Sequence, residues 1–470
     1  MATDRPAPAA EHGRRAGDLR GFIDVLRNAG ALRDVVEDVH PDGELGAVLR
    51  ACEREGRAAF FHRVQGFDIP VVGNLLGSRS QVALALGCAE SEVFERIRRA
   101  PFEPIPPRVV DGPAPSQEVE EDRVDLRTLP IPRHAPHDSG PFINASIVVG
   151  RSPAGGRQNL TYIRMQVHEP DLIGFNINPW RDMDEFFRLA ERRGENLPFC
   201  AAIGVDPFLM MGAAFRYDGD EYEVAGALQG EPVPVVPATT CDLLVPALAE
   251  IVLEGEVLAG ERRPEGPMAE FTGHYSGMTD QPVARVTAVT RRRRPIFQTI
   301  AGASAEHLLL GNALTREPIL EATVRKMSPR VRRVALPGPG FAALVSMEDP
   351  RPGEARSVAI AALSFHVNTK MAAVFDDDVD IDDPSDVLWA LSTRVRGDRD
   401  CITIPGALGN RLDPASDPQS VQSKVIIDAT LGPERGEYRK VTYPPVDLAR
   451  YLGDGSRPAH GPVAGEGSHA

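Results

Sequence analysis

The feature that most constrains this chain is a set of short β-rich runs in its middle part. INASIVVG, NLTYIRMQV, PVARVTAVT and PIFQTIAG all lie between about Asp122 and Ala301. One helical run, DMDEFFRLAERR at Asp182–Arg193, interrupts them. Asp182 and Glu185 have the spacing of a capping box, and Gly194 is a typical helix stop. The pattern predicts a mostly antiparallel barrel with one inserted helix.

The segments on either side of this barrel have a different character. Residues 18–115 mix helical and strand patterns and end in a Pro-rich link, PFEPIPPRVVDGPAPS. Residues 306–450 alternate strands and helices, which is typical of an α/β domain with a partly parallel sheet. We therefore expect a multidomain α+β and α/β fold with the β-rich domain at residues 116–305. Residues 1–17 and 453–470 offer little to bury and are predicted to be disordered.

Charge and composition exclude several classes of protein. The formal charge is −15 over 470 residues, so binding of nucleic acid through its phosphates is disfavoured. The basic run Arg291–Arg294 lies between strand-like runs and is predicted to be a hairpin turn. No run approaches the roughly 20 apolar residues that span a bilayer, so we expect no membrane contact. Five widely separated cysteines without a CxxC pair favour neither a disulfide framework nor a zinc or iron–sulfur site, and they fit a reducing cytoplasm.

Two glutamates in a Gly- and Pro-rich stretch form the first candidate site. Glu265 and Glu270 lie five residues apart in RPEGPMAEFTGHYSG, a spacing that shares no face of a helix or a strand. The glycines and prolines indicate a bent backbone, which can aim both carboxylates at one point. A solvated acidic loop is the alternative.

Arg164, in the predicted strand NLTYIR, is a second candidate. Burial of arginine in an apolar strand is costly unless a carboxylate or a phosphate meets it. A purely structural salt bridge is the alternative.

Several oxygen-bearing side chains could hold a cation or a phosphate. Glu221 and Glu223 share one face of a strand-like run, and Glu221 with Asn159 could hold a hard divalent ion. An exposed polar face is the alternative. The loop Pro207–Phe215 is expected to line an apolar pocket or to pack a core. Lys370 is a candidate phosphate contact because a lysine is a compact point charge and lysine is rare in this chain.

Several long motifs, in order, resemble one family, the prenylated-FMN-dependent decarboxylases of the UbiD family. The motifs are LPIPRHAPHDSGPFINASIVV, NLTYIRMQV, LPFCAAIGVDP, RPEGPMAEFTGHYS, DDDVDIDDPSDVLWALSTRV, LDPAS and SKVIIDAT. They extend from roughly Leu129 to Thr430. The resemblance implies that the β-rich domain is a split barrel that binds the flavin and that the C-terminal domain forms homo-oligomers.

The resemblance also implies a set of site residues. Arg164, Glu265 and Glu270 would be catalytic, with Glu270 as the proton donor. Asn159 and Glu221 would bind a manganese-type or magnesium divalent ion that bridges to the cofactor phosphate. A monovalent cation, K⁺, is a further candidate. The full set of residues implied to contact the cofactor is Asn159, Thr161, Tyr162, Arg164, Trp180, Arg181, Glu221 and Lys370.

The implied function is non-oxidative decarboxylation of an α,β-unsaturated or aromatic carboxylic acid, with the reverse carboxylation left open and a place in secondary metabolism as one setting. The implied partners are the small-molecule acid, a flavin prenyltransferase that supplies the cofactor, and further copies of the chain in a dimer or larger assembly. The alternative function is a non-catalytic flavin-binding subunit of a larger carboxylase complex. An FMN reductase is disfavoured because hydride transfer has no use for the carboxylate pair.

One position departs from the family pattern. Arg181 occupies the place where the family usually has a histidine ligand to the metal, and arginine cannot ligate a metal ion. Water could complete the metal shell, Arg181 could contact the phosphate directly, or the divalent ion could be lost. A surface role for Arg181 is the alternative.

Overall fold

The computed structural model describes residues 17–179 and 181–431, together with residues 438, 440–444, 446 and 451. The described residues from 17 to 431 belong to one compact unit. Apart from residue 17, the two tails predicted to be disordered lie outside the described residues.

The first region packs four helices around a small sheet. Its elements are α1 (Leu19–Asn28), β1 (Leu32–Val35), α2 (Glu44–Arg54), β2 (Ala58–Phe61), β3 (Val71–Gly73), α3 (Arg79–Leu86) and α4 (Glu90–Arg99).

The second region is rich in strands. Its elements are β4 (Arg108–Val109), β5 (Val119–Glu120), β6 (Phe142–Ile143), β7 (Ile147–Arg151), β8 (Gln158–Tyr162), β9 (Met165–Glu169), β10 (Leu172–Phe175), α5 (Asp182–Arg193), β11 (Leu197–Ile203), α6 (Pro207–Gly212), α7 (Glu221–Gln229), β12 (Pro234–Pro237), β13 (Leu244–Pro246), β14 (Ile251–Glu265), β15 (Thr279–Arg291) and β16 (Phe297–Thr299). Most of these strands form a curled nine-stranded sheet in the order β6-β9-β10-β15-β14-β11-β7-β8, with β5 beside β15. Strands β12, β13 and β4 form a separate small sheet. The curled sheet is a half-barrel, and β6 and β8 are the strands at its two ends.

One predicted strand of the barrel joins a different sheet. β16, the run PIFQTI, pairs in parallel with β3, so that the first sheet has the order β1-β2-β3-β16. The prediction that Arg291–Arg294 is a hairpin turn is therefore wrong, because the chain leaves the curled sheet there and crosses to the first one. Ile296, Phe297 and Ile300 are buried in this position, and burial of apolar surface favours it over an exposed hairpin.

The third region is an α/β layer, as the alternating pattern predicts. Its elements are α8 (Ala305–Leu308), a π-helical turn (Leu309–Ala313), α9 (Leu314–Arg325), β17 (Val331–Ala335), β18 (Ala342–Met347), α10 (Glu354–Phe365), β19 (Met371–Asp376), α11 (Pro384–Arg394), β20 (Cys401–Leu408) and β21 (Val421–Ala429). The sheet order is β17-β18-β19-β21-β20, and β18, β19 and β21 are parallel. Apolar clusters of buried side chains cover both faces of this sheet.

The inserted helix has the predicted bounds but not the predicted cap. α5 spans Asp182–Arg193 and ends at Gly194, which is left-handed at φ 70°. Its N-cap is Arg181, which makes no side-chain capping bond. Asp182 is the first helical residue, so the capping box that we assigned to Asp182 and Glu185 is wrong.

Candidate active site

Arg164 lies in the two-residue break between β8 and β9, not on a strand as predicted. The break has a topological cause. β8 pairs with β7, whereas β9 pairs with β10 and β6, so the chain leaves one part of the curled sheet and enters another at this point. The Arg164 carbonyl accepts a hydrogen bond from the Asn176 amide at 3.2 Å. The Arg164 side chain therefore does not follow the in-and-out alternation of a strand, and it points into the protein.

Arg164 brings the two predicted glutamates together. Its Nε donates to Glu265 Oε1 at 2.8 Å and its Nη2 donates to Glu265 Oε2 at 2.7 Å, a bidentate pair. Its Nη1 contacts Glu270 Oε1. Asn176 Nδ2 also donates to Glu265 Oε2, at 2.9 Å. The Glu265 side chain is 0% exposed and that of Glu270 is 10% exposed, so the solvated acidic loop is not what the structure shows.

The backbone between the two glutamates is bent, as the sequence predicts. Glu265 is the last residue of β14, and Gly266 follows in a left-handed conformation at φ 90°. A Cβ on Gly266 would meet the Gly277 carbonyl oxygen at 2.8 Å, so a side chain has no room there. The Glu270 amide donates to the His274 carbonyl at 2.9 Å. The loop thereby folds Glu270 back over the end of β14.

Burial sets the electrostatics of Glu270. The pKa of Glu270 is raised because burial disfavours its charged form, while Arg164 opposes the rise. A carboxyl group with a raised pKa can retain its proton closer to neutral pH. This is the property that a general acid requires.

His307 lies beside this cluster, and the sequence analysis missed it. Burial, reinforced by the charge of Arg164, lowers the pKa of His307 to about 4, so its imidazole is neutral. Its ring meets the Phe271 ring edge-on, with centroids 6.3 Å apart. The available signal was local, since His307 lies in the first turn of a helix that Ser304 caps. Nothing in that signal pointed toward Arg164.

Asn159 and Glu221 also meet, but Glu221 is not on a strand. It opens α7, because the Asp220 side chain caps the helix by accepting from the Tyr222 amide at 3.0 Å. The predicted shared strand face with Glu223 is therefore wrong. Asn159 Nδ2 donates to Glu221 Oε1 at 3.1 Å, and the Leu160 amide donates to Oε2 at 2.9 Å. Burial raises the pKa of Glu221 to about 8.

Cationic side chains without carboxylate partners lie near Arg181. Within the described part of the chain, Arg181 and Arg216 form no ion pair with a carboxylate, and Arg316 donates to the neutral Asn312 Oδ1 at 2.9 Å. Burial and the charge of Arg216 lower the pKa of Arg181. Burial and the charge of Arg181 lower the pKa of Arg316 to about 10. Arg181 therefore lies near two other cations, Arg216 and Arg316, and within the described residues none of the three pairs with a carboxylate.

The remaining predicted contacts are placed as follows. The Lys370 ammonium pairs with Asp413 at 2.7 and 2.9 Å, so the structure gives it a carboxylate partner rather than a free charge. Thr161 is half-buried on β8. The Tyr162 hydroxyl donates to the Met210 carbonyl at 3.0 Å. Trp180 lies outside the described residues.

The predicted loop Pro207–Phe215 is mostly helical. α6 spans Pro207–Gly212, and its N-cap Asp206 accepts from the Leu209 amide at 2.9 Å. Met210 and Met211 are fully buried in an apolar core. The segment was expected either to line an apolar pocket or to pack a core, and for these methionines the structure shows core packing.

Three domain models of one family match the chain in succession. They are the 3-octaprenyl-4-hydroxybenzoate carboxy-lyase N-terminal domain at residues 23–100, the Rift-related domain at 108–304 and the C-terminal domain at 309–429.

Similar proteins match over nearly their whole length. The anhydromevalonate phosphate decarboxylase of Methanothermobacter thermautotrophicus is 35% identical, with 88% of this chain and 96% of the relative covered. The phenolic acid decarboxylase of Bacillus subtilis is also 35% identical, over 90% and 94% of the two chains. The UbiD-class enzyme HmfF of Pelotomaculum thermopropionicum, solved with FMN, is 38% identical at a TM-score of 0.88, over 93% and 100%. An evolved dimeric form of HmfF, solved with prFMN, is 36% identical at a TM-score of 0.84, over 93% and 100%.

The fold and these matches define the chain as a carboxy-lyase, a decarboxylase built from mixed α and β regions around a curled half-barrel sheet. It belongs to the UbiD family. Within the described residues no helix is long and apolar enough to cross a bilayer.

Proposed function

We propose that this chain removes the carboxyl group of an α,β-unsaturated or aromatic acid as carbon dioxide, with prenylated FMN as cofactor. The observation that carries the proposal is the contact of Arg164 with two buried carboxylates, Glu265 and Glu270. The matched relatives support it, since one is a phenolic acid decarboxylase and HmfF was solved with FMN and with prFMN. When bound, the modified flavin supplies the electron sink that loss of carbon dioxide requires.

Glu270 is assigned the role of proton donor. Burial raises its pKa, so Glu270 keeps its proton to a higher pH than a free carboxyl group does, and its side chain retains some access to solvent. Arg164 fixes both carboxylates and can also orient a substrate carboxylate by paired hydrogen bonds. Glu265 holds Arg164 in place from its fully buried position.

The residues near Arg181 fit the phosphate of the flavin. Arg181 and Arg216 form no ion pair with a carboxylate in the described part of the chain, and guanidinium groups bind phosphate through paired hydrogen bonds. Asn159, Thr161, Tyr162 and the neighbouring Glu221 are assigned to the same end of the cofactor. Lys370 pairs with Asp413, so its contacts do not support its assignment to the phosphate.

The fit to a divalent ion is less complete. Glu221 supplies a carboxylate and Asn159 an amide oxygen, both of which suit Mn²⁺ or Mg²⁺. Within the described residues, no group of three His, Cys, Asp or Glu ligands includes Glu221. A metal here would therefore depend on water and phosphate for its remaining ligands. A K⁺ ion is proposed only as an accompaniment to that phosphate.

The proposed partners follow from the same site. A flavin prenyltransferase supplies the cofactor, the setting is the cytoplasm, and the chain associates with further copies through its C-terminal domain. Exposed apolar side chains on β20 and α11, Leu408 and Leu388 among them, support that association.

The decisive experiment measures carbon dioxide release by protein co-expressed with a flavin prenyltransferase. A panel of aromatic and α,β-unsaturated acids is supplied in D₂O, and the product is examined for deuterium at the carbon that carried the carboxyl group. Glu270→Gln is the test variant. Glu261→Gln changes an exposed glutamate of β14, the strand that leads into the loop of Glu270, and is the matched control.

Release of carbon dioxide with deuterium incorporation, lost in Glu270→Gln and kept in Glu261→Gln, supports the proposal. A cofactor-loaded protein that is inert toward every acid in the panel would favour the non-catalytic subunit instead. Equal activity in both variants would remove Glu270 from the chemistry.

A further inference from the structure

Two cysteines that are far apart in sequence lie side by side in the fold. Cys200 Sγ and Cys241 Sγ are 3.6 Å apart, although 41 residues separate them. Cys200 is fully buried on β11, in register with Val149 of β7 and with Glu254 of β14. Neighbouring strands therefore hold Cys200 on both sides. Cys241 is half-buried in the connection between β12 and β13.

The connection that carries Cys241 is tied down by Glu254. Each carboxylate oxygen of Glu254 accepts one hydrogen bond from a backbone amide and one from a hydroxyl group. Thr239 donates both groups to Oε1 at 2.9 and 3.1 Å, and Thr240 donates both to Oε2 at 2.7 and 2.7 Å. The side chains of Thr239, Thr240 and Asp242 are otherwise exposed. This arrangement holds Cys241 over Cys200 while leaving its sulfur within reach of small solutes.

The same four hydrogen bonds argue against a metal site. Cys200, Cys241 and Glu254 have ligand atoms within 4.8 Å of one another, close enough for one ion. However, a carboxylate has about four acceptor sites in all, and the threonines occupy four. A metal ion would have to displace the threonine hydrogen bonds from Glu254. Without Glu254, only the two cysteine thiolates would remain as ligands.

Thiol chemistry is therefore the better use of this pair. The hydrogen bond from Cys200 lowers the pKa of Cys241, although burial and Glu254 oppose the effect. The hydrogen bond to Cys241, together with burial, raises the pKa of Cys200. Cys241 is thus the cysteine of the pair that ionises first, and Cys200 is the thiol beside it.

We propose that Cys200 and Cys241 are a covalent modification site, a thiol pair that a hydroperoxide converts reversibly into a disulfide. The Cys241 thiolate attacks the peroxide oxygen, which forms the Cys241 sulfenic acid and releases an alcohol or water after protonation. The Cys200 sulfur then attacks the Cys241 sulfur, and water leaves. Two electrons pass from the two sulfurs to the peroxide. The Sγ–Sγ distance closes from 3.6 Å to about 2.05 Å as the bond forms.

The disulfide would clamp a connection that leads to the candidate cofactor site. Three residues beyond Cys241, the Leu244 amide donates to Gln158 Oε1 at 2.7 Å, and the Leu244 carbonyl accepts from the Tyr222 hydroxyl at 3.0 Å. Gln158 precedes Asn159 in the chain, and Tyr222 follows Glu221. The modification site is therefore joined by hydrogen bonds to the side chains of the residues next to Asn159 and Glu221.

Peptide mapping of the full-length protein tests the proposal. Reduced, desalted protein is treated with hydrogen peroxide for minutes, its free thiols are alkylated, and it is digested with trypsin without reductant. Trypsin separates the two cysteines into peptides 194–216 and 217–262, each with one cysteine. We expect these peptides to be linked in at least half of the molecules, and dithiothreitol to release them.

Three variants accompany the test, and the third is the control. Cys241→Ser, at a half-buried position, should fold and lose the linked peptide, and Cys200→Ala should do the same. Cys401→Ser changes an exposed cysteine and should leave the linked peptide unchanged. Oxidation of Cys241 to sulfinic acid without a linked peptide would overturn the proposal. Release of one equivalent of zinc on alkylation of the pair would overturn it in favour of a metal site.

Discussion

Replacing Arg164 by methionine should destabilise the cofactor-free protein strongly. Methionine keeps much of the side-chain volume but leaves two carboxylates without their cation. Glu265 is fully buried and would keep one side-chain donor, Asn176 at 2.9 Å. Loss of one partner from a buried ion pair costs about 3–5 kcal/mol, so we expect a loss in that range at pH 8.

The loss should depend on pH with a definite sign. Burial raises the pKa of Glu270 above its unfolded value, and Arg164 opposes that rise. Without Arg164 the pKa of Glu270 in the folded protein rises further, so the folded state binds a proton that the unfolded state has released. The destabilisation is present in full above the raised pKa. It shrinks as the pH falls toward the unfolded value.

Urea unfolding of the cofactor-free protein at pH 8 and pH 5.5 measures both effects. Arg263→Met is the matched control, because Arg263 pairs with Glu169 at 2.6 Å and both side chains are more than 40% exposed. An exposed pair contributes about 0–1 kcal/mol. The reasoning would be refuted by equal losses in the two variants at pH 8, or by a loss in Arg164→Met that grows as the pH falls.

Four further outcomes are expected. Glu270→Gln should abolish turnover while the circular dichroism spectrum and flavin absorbance stay native, and near-normal turnover would remove Glu270 as proton donor. Arg181→Ala should weaken FMN retention at least tenfold, about 1.4 kcal/mol, as measured by absorbance after gel filtration; Arg181→His should restore retention only with manganese. Mn²⁺ affinity, measured by calorimetry, should fall about tenfold per pH unit below about 8, because the pKa of Glu221 is raised to about 8 and the ion needs the carboxylate ionised. Light scattering at micromolar concentration should give a dimer or larger assembly, and a strictly monomeric mass would contradict association through the C-terminal domain.

The family and the local elements were accessible from the sequence. Helix Asp182–Arg193 was predicted with the bounds observed, and Gly194 ends it as predicted. These features depend on residues within a turn or two of each other. The wrong prediction of a strand at Glu221 also had a local cause. It followed a short alternation of polar and apolar residues and did not consider the helix N-cap supplied by Asp220. Short runs leave helix and strand ambiguous when no cap is considered.

The meeting of distant side chains was decided by the tertiary structure. Arg164 reaches Glu265 and Glu270 across 101 and 106 residues, and the resemblance named these three residues without showing how they meet. Cys200 and Cys241 were judged unrelated because no sequence spacing pairs them, and Lys370 was expected to face a phosphate rather than Asp413. Strand order and register determine these contacts. Because side-chain patterns record which face a residue takes but not which strand lies beside it, such contacts become visible only when the sheets are assembled.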